Sequence, residues 1–317
     1  MIVRAGIDEA GLGPVLGPLT VGLVSFQVPV PATNLWEALS DAVSATPDRD
    51  RIVVCDSKRL FSQDKGVAPL ERSLFPFLGV ERGMSLAALL EVLSVPGREE
   101  LARYPWYQSP PLTEVRLPLA ADPDEITDRT DRLARSMRAA KVSFAGARAR
   151  ASEGYGYDAG SREFDGRFGW LSWLVGGLLS ETAAAHARAD VRVLAGKQGM
   201  RVQYESALHR AFPGAFLWVR DEQPHRSDYE IAREGAPVRI AFVRDGEDAF
   251  FEIALASLVA KYLREALMSR FRAWWVEKAP DVAETAGYGL DGKRFLAEVG
   301  PRLAGLGLPR EAVERLR

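Results

Sequence analysis

Short apolar runs alternate along this chain with longer stretches in which apolar residues recur every three or four positions. The short runs predict β-strands, because they have strand length and are bounded by turn-forming residues. They cover residues 3–6, 19–28, 52–55, 191–194, 216–220, 229–233 and 238–243. The longer stretches predict helices at residues 85–93, 123–152, 166–187 and 203–212, and a long one after residue 248. This order predicts an α/β fold, with a mixed sheet and helices on both sides.

The long helix after residue 248 has two predicted faces. Apolar residues three or four positions apart make one buried stripe: Ile253, Ala256, Ala260, Leu263, Leu267, Phe271 and Trp274. The second face carries Ser257, Lys261, Arg264 and Arg272. A solvated surface is the simplest interpretation of that polar face.

Composition indicates the class and cellular compartment of the protein but says little about its reaction. With 47% apolar and 26% charged residues among 317, the chain is an ordinary globular protein, long enough for one large domain or two. The single cysteine, Cys55, excludes an internal disulfide, and the first residues lack a signal-peptide pattern. The longest apolar run, residues 169–179, is too short to span a bilayer. We therefore expect a cytoplasmic protein; its net charge of −2 neither favours nor excludes a nucleic-acid partner.

Two adjacent acids, Asp8 and Glu9, follow the first strand and precede the turn Gly11-Leu12-Gly13-Pro14. Neighbouring side chains in a strand point to opposite faces, so both acids share one solvated face only if the backbone turns there. Glycines permit that turn and let a backbone approach a ligand closely. A polar hairpin tip is the alternative for this segment alone.

Related fragments recur further along in a consistent order. They are Gly-Ile-Asp-Glu-Ala-Gly-Leu-Gly-Pro at 6–14, Cys-Asp-Ser-Lys-Arg-Leu at 55–60, Ala-Leu-Ala-Ser-Leu-Val-Ala-Lys at 254–261 and Thr-Ala-Gly-Tyr at 285–288. These segments resemble four motifs of the ribonuclease HII family: Asp-Glu-x-Gly-Arg-Gly-Pro, Asp-Ser-Lys-Lys-Leu, Ala-Ala-Ser-Ile-Leu-Ala-Lys and Lys-Gly-Tyr. The resemblance is that of a divergent member and covers roughly residues 1–60 and 190–295. It implies a ribonuclease H-like fold.

The resemblance also implies a reaction. Ribonucleases HII cut RNA in hybrids with DNA, including a ribonucleotide embedded in duplex DNA, and use Mg²⁺ or Mn²⁺ bound by four acids. Asp8 and Glu9 match the first two acids, and an alignment without gaps places Glu247 at the fourth. Asp248 and Asp245 are the alternatives at that position. The implied substrate-binding residues are Gly11, Leu12, Gly13, Ser57, Lys58, Ser257, Lys261 and Tyr288.

Two departures from the family pattern bear on this function. The family's third acid is missing: residues 194–197 are Leu-Ala-Gly-Lys, and neither Ala195 nor Gly196 supplies a carboxylate. Lys197 is a candidate catalytic residue that would supply positive charge in place of a second cation, or else an ordinary loop lysine. Leu12 replaces the arginine of the family's Gly-Arg-Gly turn, which puts recognition of a single embedded ribonucleotide in doubt.

The segments outside the resemblance set the predicted domain organisation. Residues 1–60 and 166–275 form the predicted core, 61–165 an insertion or subdomain, and 276–317 a helical C-terminal extension. In the insertion, Tyr104, Trp106 and Tyr107 would either stack on bases or pack a loop. Two alternatives to a ribonuclease stay open: a catalytically weakened nucleic-acid-binding protein of the same fold, and a junction-selective DNA nuclease, the latter by fold analogy alone.

Overall fold

The computed structural model describes residues 1–315. Nine strands are present in this range: β1 (Ile2–Ala10), β2 (Leu19–Val28), β3 (Val43–Ser44), β4 (Ile52–Val53), β5 (Ser143–Ser152), β6 (Asp190–Gly196), β7 (Leu217–Glu222), β8 (Arg226–Ile231) and β9 (Val238–Val243).

Helices connect and cover the strands. Those within residues 1–315 are α1 (Leu35–Ala38), α2 (Ser57–Leu60), α3 (Ala68–Leu78), α4 (Leu86–Val92), α5 (Arg98–Leu101), α6 (Pro123–Ala140), α7 (Gly154–Glu163), α8 (Arg167–Ala185), α9 (Glu205–Ala211), α10 (Gly246–Ala249), α11 (Phe251–Lys278) and α12 (Gly289–Val299). Short 3₁₀ turns follow at Gly300–Arg302, Ala304–Leu306 and Arg310–Ala312, after an earlier one at Pro105–Tyr107. No helix in the described range is long and apolar enough to cross a membrane.

Seven strands form one mixed sheet in the order β5-β2-β1-β6-β9-β8-β7. The three central strands β1, β6 and β9 are parallel, and the outer pairings are antiparallel. Helices lie on both faces, so the predicted mixed sheet flanked by helices is confirmed. In the register of β1 and β6, Ile7 pairs with Ala195, which brings Asp8 level with Gly196.

Helix α11 lies directly on β1 and β2 because two glycines leave room for it. A Cβ on Gly6 would lie 2.1 Å from the backbone carbonyl carbon of Glu252, and one on Gly22 would lie 2.4 Å from the carbonyl oxygen of Ala256. The opposite face of the sheet packs against α8 and α9 through a separate apolar cluster. This close approach places the middle of α11 beside the acids at the end of β1.

The predicted insertion is part of the main body of the protein. Strand β5 lies within residues 61–165 yet pairs with β2 at the edge of the main sheet. Apolar residues of α3, α4 and α6 share one core with β2 and α11. The predicted helix at 123–152 was wrong beyond residue 140, because the alternating run from residue 143 completes the sheet. Tyr104, Trp106 and Tyr107 are at most 3% exposed, so they pack the core and do not stack on bases.

Two other predictions also differ from the structure. Strand β4 pairs only with β3, in a separate two-stranded sheet. The polar face of α11 is not solvated: Ser257 and Arg264 are buried, and Lys261 is mostly covered. The apolar residues of α11 extend around most of its circumference, because loops cover the side that faces away from the sheet.

The C-terminal segment returns to the turn after β1. The backbone N–H of Arg315 donates to the carbonyl oxygen of Val15 at 2.7 Å, and Leu16 and Glu314 form an isolated β-bridge. The predicted extension at 276–317 is helical in part, through α12, but its last described residues pack against the N-terminal turn.

A buried carboxyl, Glu153, lies between the end of β5 and α7 and accepts a hydrogen bond from the hydroxyl of Tyr107. Burial raises the pKa of Glu153 to about 7, against opposing effects of Tyr107, Arg315 and Arg264. Between pH 4.5 and about 7 the Glu153 carboxyl is therefore protonated in the folded protein but ionised in the unfolded chain. The contribution of Glu153 to the free energy of unfolding is therefore greatest below pH 4.5 and falls as the pH rises towards 7.

We expect Glu153→Gln to remove this part of the pH dependence. Between pH 4.5 and 7 the parent's free energy of unfolding should fall by up to about 3 kcal/mol more than that of the variant, at ~1.4 kcal/mol per pKa unit. Guanidinium unfolding of both proteins at pH 5.0 and 7.5 measures the difference. The same pH dependence in both would contradict a protonated Glu153.

Candidate active site

A pocket of about 490 Å³ lies where the parallel strands β1, β6 and β9 end. The carboxyl ends of parallel strands meet at one edge of a sheet, so residues distant in sequence converge there. The α2 segment, the β9–α10 corner, α11 and the loop before α12 complete the wall. Most predicted site residues line this pocket: Asp8, Glu9, Gly11, Leu12, Ser57, Lys58, Lys197, Glu247, Ser257, Lys261 and Tyr288.

Asp8, Glu9 and Glu247 form the negative centre of the pocket. Asp8 is 9% exposed, and burial, followed by the charges of Glu9 and Glu247, raises its pKa well above the usual value. Burial and the charge of Glu247 likewise raise the pKa of Glu9 to about 7. The protein therefore neutralises these carboxylates only in part, and a bound cation would relieve their repulsion.

Two serine hydroxyls support Asp8 from the side of α11. Ser257 hydrogen-bonds to the Asp8 carboxyl, which lowers the pKa of Asp8 against the larger effect of burial. Ser257 Oγ also lies 3.1 Å from the Oγ of Ser57, the first residue of α2. This pair of hydroxyls ties the Asp-Ser-Lys segment to the helix that carries Ser257.

The β9–α10 corner presents Glu247 to the other two acids. Asp245 reverses the chain there in a left-handed conformation, with φ of 52°, which aspartate tolerates better than most residues. Asp248 is directed elsewhere, because its Oδ1 lies 3.7 Å from the guanidinium of Arg59 on the exposed surface. Asp245 and Glu247 both line the pocket, and Glu247 is the acid of this corner whose charge raises the pKa of Asp8 and Glu9.

No carboxylate comes from the end of β6. Gly196 faces the acids, and a Cβ at this position would lie 2.7 Å from Asp8 Oδ1 and 4.0 Å from Glu9 Oε2. Ala195 points to the opposite face, where it is 1% exposed within the apolar core. Of the two candidate positions, Gly196 faces Asp8 and Glu9, and Ala195 faces away from them.

The contacts of Lys197 do not support a role beside the acids. Its ammonium donates to the carbonyl oxygen of Gln223 at 2.7 Å and to Ser227 Oγ at 3.0 Å. Burial and the charge of Arg244 lower the pKa of Lys197. Lys197 lies in the pocket wall, but its ammonium anchors the β7–β8 hairpin.

Lys58 brings positive charge to the rim of the acidic centre. Its Nζ lies 3.9 Å from Glu247 Oε1, and its side chain is 80% exposed. Burial lowers the pKa of Lys58, but the carboxylates of Asp56, Glu247 and Asp8 outweigh that effect and the pKa is raised. Lys58 is therefore a charged and accessible group at the mouth of the pocket.

Lys261 lies deeper in the wall and is held by its own helix. Its Nζ donates to Glu265 Oε1 at 3.0 Å and lies 4.3 Å from the centre of the Phe61 ring. Glu265 also pairs with Arg264 and Arg272. The charge of Lys261 is therefore shared with a buried ion-pair network.

The turn after β1 and the loop before α12 adjoin each other in the pocket wall, where the backbone N–H of Val15 donates to the carbonyl oxygen of Gly287 at 2.8 Å. Gly11 has φ of 86°, and a Cβ there would lie 2.5 Å from the carbonyl oxygen of Pro18, so the turn requires glycine at this position. Leu12 packs partly against the core on the α8 side. Gly13 is exposed and does not line the pocket. Tyr288 is 43% exposed, and its ring lies 5.0 Å from the guanidinium carbon of Arg264.

The acidic centre suits a hard divalent cation in its chemistry but does not enclose one. Carboxylate oxygens are the ligands that Mg²⁺ and Mn²⁺ prefer. Within residues 1–315, no group of three or more His, Cys, Asp or Glu side chains is arranged to hold a metal ion. Mg²⁺ usually keeps several waters and takes one or two carboxylates together with substrate phosphate. Asp8, Glu9 and Glu247 are the residues that would hold it, with open positions for water and phosphate.

A larger cavity, of about 710 Å³, lies on the open face of β6, β8 and β9. Its five arginines are paired with acids of the protein at 2.6–3.3 Å: Arg4 with Glu252, Arg192 and Arg239 with Asp190, Arg220 with Glu230, and Arg226 with Asp228. Because these charges are balanced internally, the smaller acidic pocket is the stronger candidate for chemistry.

Comparisons with known proteins give a fold-level result. No family model and no curated protein sequence matches the chain. Among solved structures, the chain is similar to the ribonuclease HII of Archaeoglobus fulgidus, solved with PCNA, at 17% identity and a TM-score of 0.46, over 100% of this chain and 95% of that one. It is also similar to ribonuclease H2 of Pyrococcus horikoshii OT3, at 14% identity and a TM-score of 0.44, over 98% and 92%.

A third similar structure is Bst-RNase HIII in complex with Mn²⁺, at 14% identity and a TM-score of 0.42, over 99% of this chain and 66% of that one. The chain thus resembles ribonucleases HII and HIII. The four sequence motifs indicated the ribonuclease HII family, and at such identities the likeness to either group concerns the fold alone.

One residue in the wall of the site was not predicted from the sequence. Arg315 donates to the carbonyl oxygens of Gly11 and Pro14, more than 300 positions earlier. Its partners are backbone atoms, which any residue provides, so no local pattern marks the contact. Only the return of the C-terminal segment makes it visible.

Proposed function

We propose that the protein is a divalent-metal-dependent endonuclease that hydrolyses phosphodiester bonds of RNA in RNA–DNA hybrids or ribonucleotide-containing duplexes. The observation that carries the proposal is the convergence of Asp8, Glu9 and Glu247 in one pocket with raised pKa values at Asp8 and Glu9. Strongly perturbed carboxylates in a cleft are typical of functional sites. The four sequence motifs support the same reaction.

Each side chain has a proposed task. A divalent cation, when bound, activates water and neutralises charge on the scissile phosphate. Asp8, Glu9 and Glu247 hold that cation, and Ser257 orients the Asp8 carboxyl. The exposed ammonium of Lys58 meets the phosphate at the pocket mouth.

The two adjoining loops in the pocket wall hold the sugars of the substrate. The backbone groups of the Gly11 turn are placed to contact a ribose hydroxyl, which distinguishes RNA from DNA. Tyr288 offers an exposed ring to the adjoining sugar or base. Leu12 supplies no charge for this contact, so we expect weaker selection for a single embedded ribonucleotide than the family motif gives.

A substrate panel tests the proposal. RNA–DNA hybrid, duplex with an embedded ribonucleotide, single strands and a four-way junction are incubated with Mg²⁺ or Mn²⁺, with and without EDTA. We expect cleavage of the ribonucleotide-containing duplexes that EDTA abolishes. Cleavage of the junction alone, or cleavage that survives EDTA, would contradict it.

A specific observation favours one second candidate, a nucleic-acid-binding protein with weakened catalysis. Gly196 leaves the acidic centre without the family's third carboxylate, and the described residues form no closed set of metal ligands. Binding of hybrid without cleavage of any substrate in the panel would favour this candidate over the nuclease.

Replacing Tyr288 by alanine should weaken substrate binding without changing metal affinity. Stacking on an aromatic ring is worth roughly 1–3 kcal/mol per base, so we expect KM for hybrid to rise about tenfold. Leu290→Ala is the control, because Leu290 is 85% exposed in the same region and does not line the pocket. An unchanged KM in Tyr288→Ala would make Tyr288 a packing residue.

A further inference from the structure

Two buried arginines meet beneath the substrate side of the pocket. Arg264, from the middle of α11, is 0% exposed, and Arg315, near the C-terminus, is 2% exposed. Fully buried arginines are rare unless their donors are used. Here each of them donates from Nη2 to the backbone of a different loop in the pocket wall, while Arg264 Nε and the Nε and Nη1 of Arg315 have no hydrogen-bond partner among the described residues.

Arg264 holds the loop that carries Tyr288. Its Nη2 donates to the carbonyl oxygen of Ala286 at 3.1 Å, and its guanidinium lies over the Tyr288 ring. The Nε and Cδ atoms of the same side chain fill the space beside Gly11, where a Cβ would lie 2.6–2.8 Å from them. Arg264 therefore contacts both loops.

Arg315 holds the turn after β1. One nitrogen, Nη2, donates both to the carbonyl oxygen of Gly11 at 2.7 Å and to that of Pro14. These two acceptors flank Leu12 and Gly13, so one cation closes the turn across its base. The guanidinium carbon lies 4.3 Å from the centre of the Tyr157 ring, which fixes the side chain from α7.

We infer that Arg315 is a positioning residue for substrate binding: it sets the geometry of the Gly11–Pro14 turn from behind, without touching substrate. The inference rests on the proposed function for its kinetic consequence, but the geometry of the turn can be measured without catalysis. Gly11 occupies a left-handed conformation that few other residues adopt, and its carbonyl would have no partner in the interior without Arg315.

Without the hydrogen bonds from Arg315, which we call the clamp, the Gly11–Pro14 turn samples other conformations. The backbone groups that face the substrate then lose their fixed directions. The metal-binding acids are less affected, because Asp8 and Glu9 belong to β1 and remain paired with β2. Loss of the clamp should therefore raise KM more than it lowers kcat, which is the signature of lost binding rather than lost chemistry.

The experiment compares Arg315→Ala and Arg315→Lys with the parent. In Arg315→Ala we expect KM for hybrid to rise about tenfold, kcat to stay within about threefold, and Mn²⁺ affinity to stay within about twofold. The backbone N–H of Val15, which directly follows the turn, donates to the carbonyl oxygen of Gly287 at 2.8 Å, and its amide hydrogen exchange should accelerate about tenfold. Arg315→Lys should restore part of both effects, because an ammonium keeps the charge and can donate to the same carbonyls.

A matched control separates positioning from general stability. Arg233 also donates to backbone carbonyls, those of Ala183, His186 and Ala189, but lines none of the pocket around the acids. Arg233→Ala should lower the melting temperature without changing KM or the exchange of the Val15 amide.

The outcomes separate this inference from the proposed function. A folded Arg315→Ala variant with parental exchange at Val15 would overturn the inference, whatever its activity. If Arg315→Ala does not fold, Arg315→Met, which keeps an apolar stem but has no donor, decides by the same two measurements. A parent that cleaves no substrate would refute the proposed function alone, and accelerated exchange in the variants would still support the clamp.

Discussion

Asp8→Asn is expected to abolish cleavage, with a loss of about a thousandfold or more, equivalent to ~4 kcal/mol of transition-state stabilisation. Asparagine keeps the size and one oxygen of aspartate but not the charge that attracts a cation. Mn²⁺ affinity should fall in the same variant. Isothermal titration with Mn²⁺ and a hybrid cleavage assay measure the two losses.

The stability of Asp8→Asn provides a second check. Burial and the charges of Glu9 and Glu247 disfavour an ionised Asp8, so removing its charge should leave the metal-free protein as stable as the parent or more so. A lost activity that came from misfolding would lower the melting temperature instead. Asp248→Asn is the matched control, because Asp248 lies one residue from Glu247 but pairs with Arg59 on the surface. Cleavage retained by Asp8→Asn would reject the metal-binding assignment.

Gly196→Asp is expected to complete the ligand set and strengthen Mn²⁺ binding about tenfold, which is ~1.4 kcal/mol. The residue is level with Asp8 in the β1–β6 register, and its backbone is not in the left-handed region, so aspartate meets no backbone strain there. Its Cβ would lie 2.7 Å from Asp8 Oδ1, so the Asp8 carboxylate must shift slightly. An added carboxylate attracts a cation strongly in a partly buried site.

Gly196→Asp should also lower the stability of the metal-free protein. A fourth carboxylate beside three others repels them, so metal-free Gly196→Asp should melt at a lower temperature than the parent, and Mn²⁺ should recover more stability in the variant. Gly196→Asn controls for size without charge. Ala195→Asp should only destabilise, because Ala195 lies in the apolar core. A folded Gly196→Asp with neither tighter Mn²⁺ binding nor faster cleavage would show that the site does not use the family's metal arrangement.

The sequence predicted the parts of the fold that local pattern determines. Strand β2 and helices α8 and α9 lie where the apolar runs indicated, because each element buries a face of its own. Strand β5 was missed because its alternating Ala and Arg residues also fit a helical spacing, and only pairing with β2 selects the strand. The same pairing joins residues 61–165 to the main sheet.

Local sequence likewise indicated some residues of the candidate site and not others. Asp8 and Glu9 were singled out as adjacent carboxylates before a glycine turn, and Glu247 by its match to a ribonuclease HII motif; the structure brings all three to one pocket. The direction of Lys197 depends on the β7–β8 hairpin, which its local sequence does not reveal. The buried state of Arg264 depends on a loop that folds over α11 from 22 residues further along the chain.

Helix α11 fixes the distance between two parts of the pocket. Ser257 meets the acids and Arg264 meets the loop that carries Tyr288, and the seven residue steps from one to the other span about 10 Å at ~1.5 Å per residue. Both contacts come from one helix, so the distance between the proposed metal-binding end and the proposed sugar-binding end of the site does not adjust through loop motion. A one-residue insertion between them would also rotate Arg264 by about 100° away from its loop. A change in the distance between these two parts of the site would therefore require changes in the loops that contact the helix, because the helix itself has a fixed rise per residue.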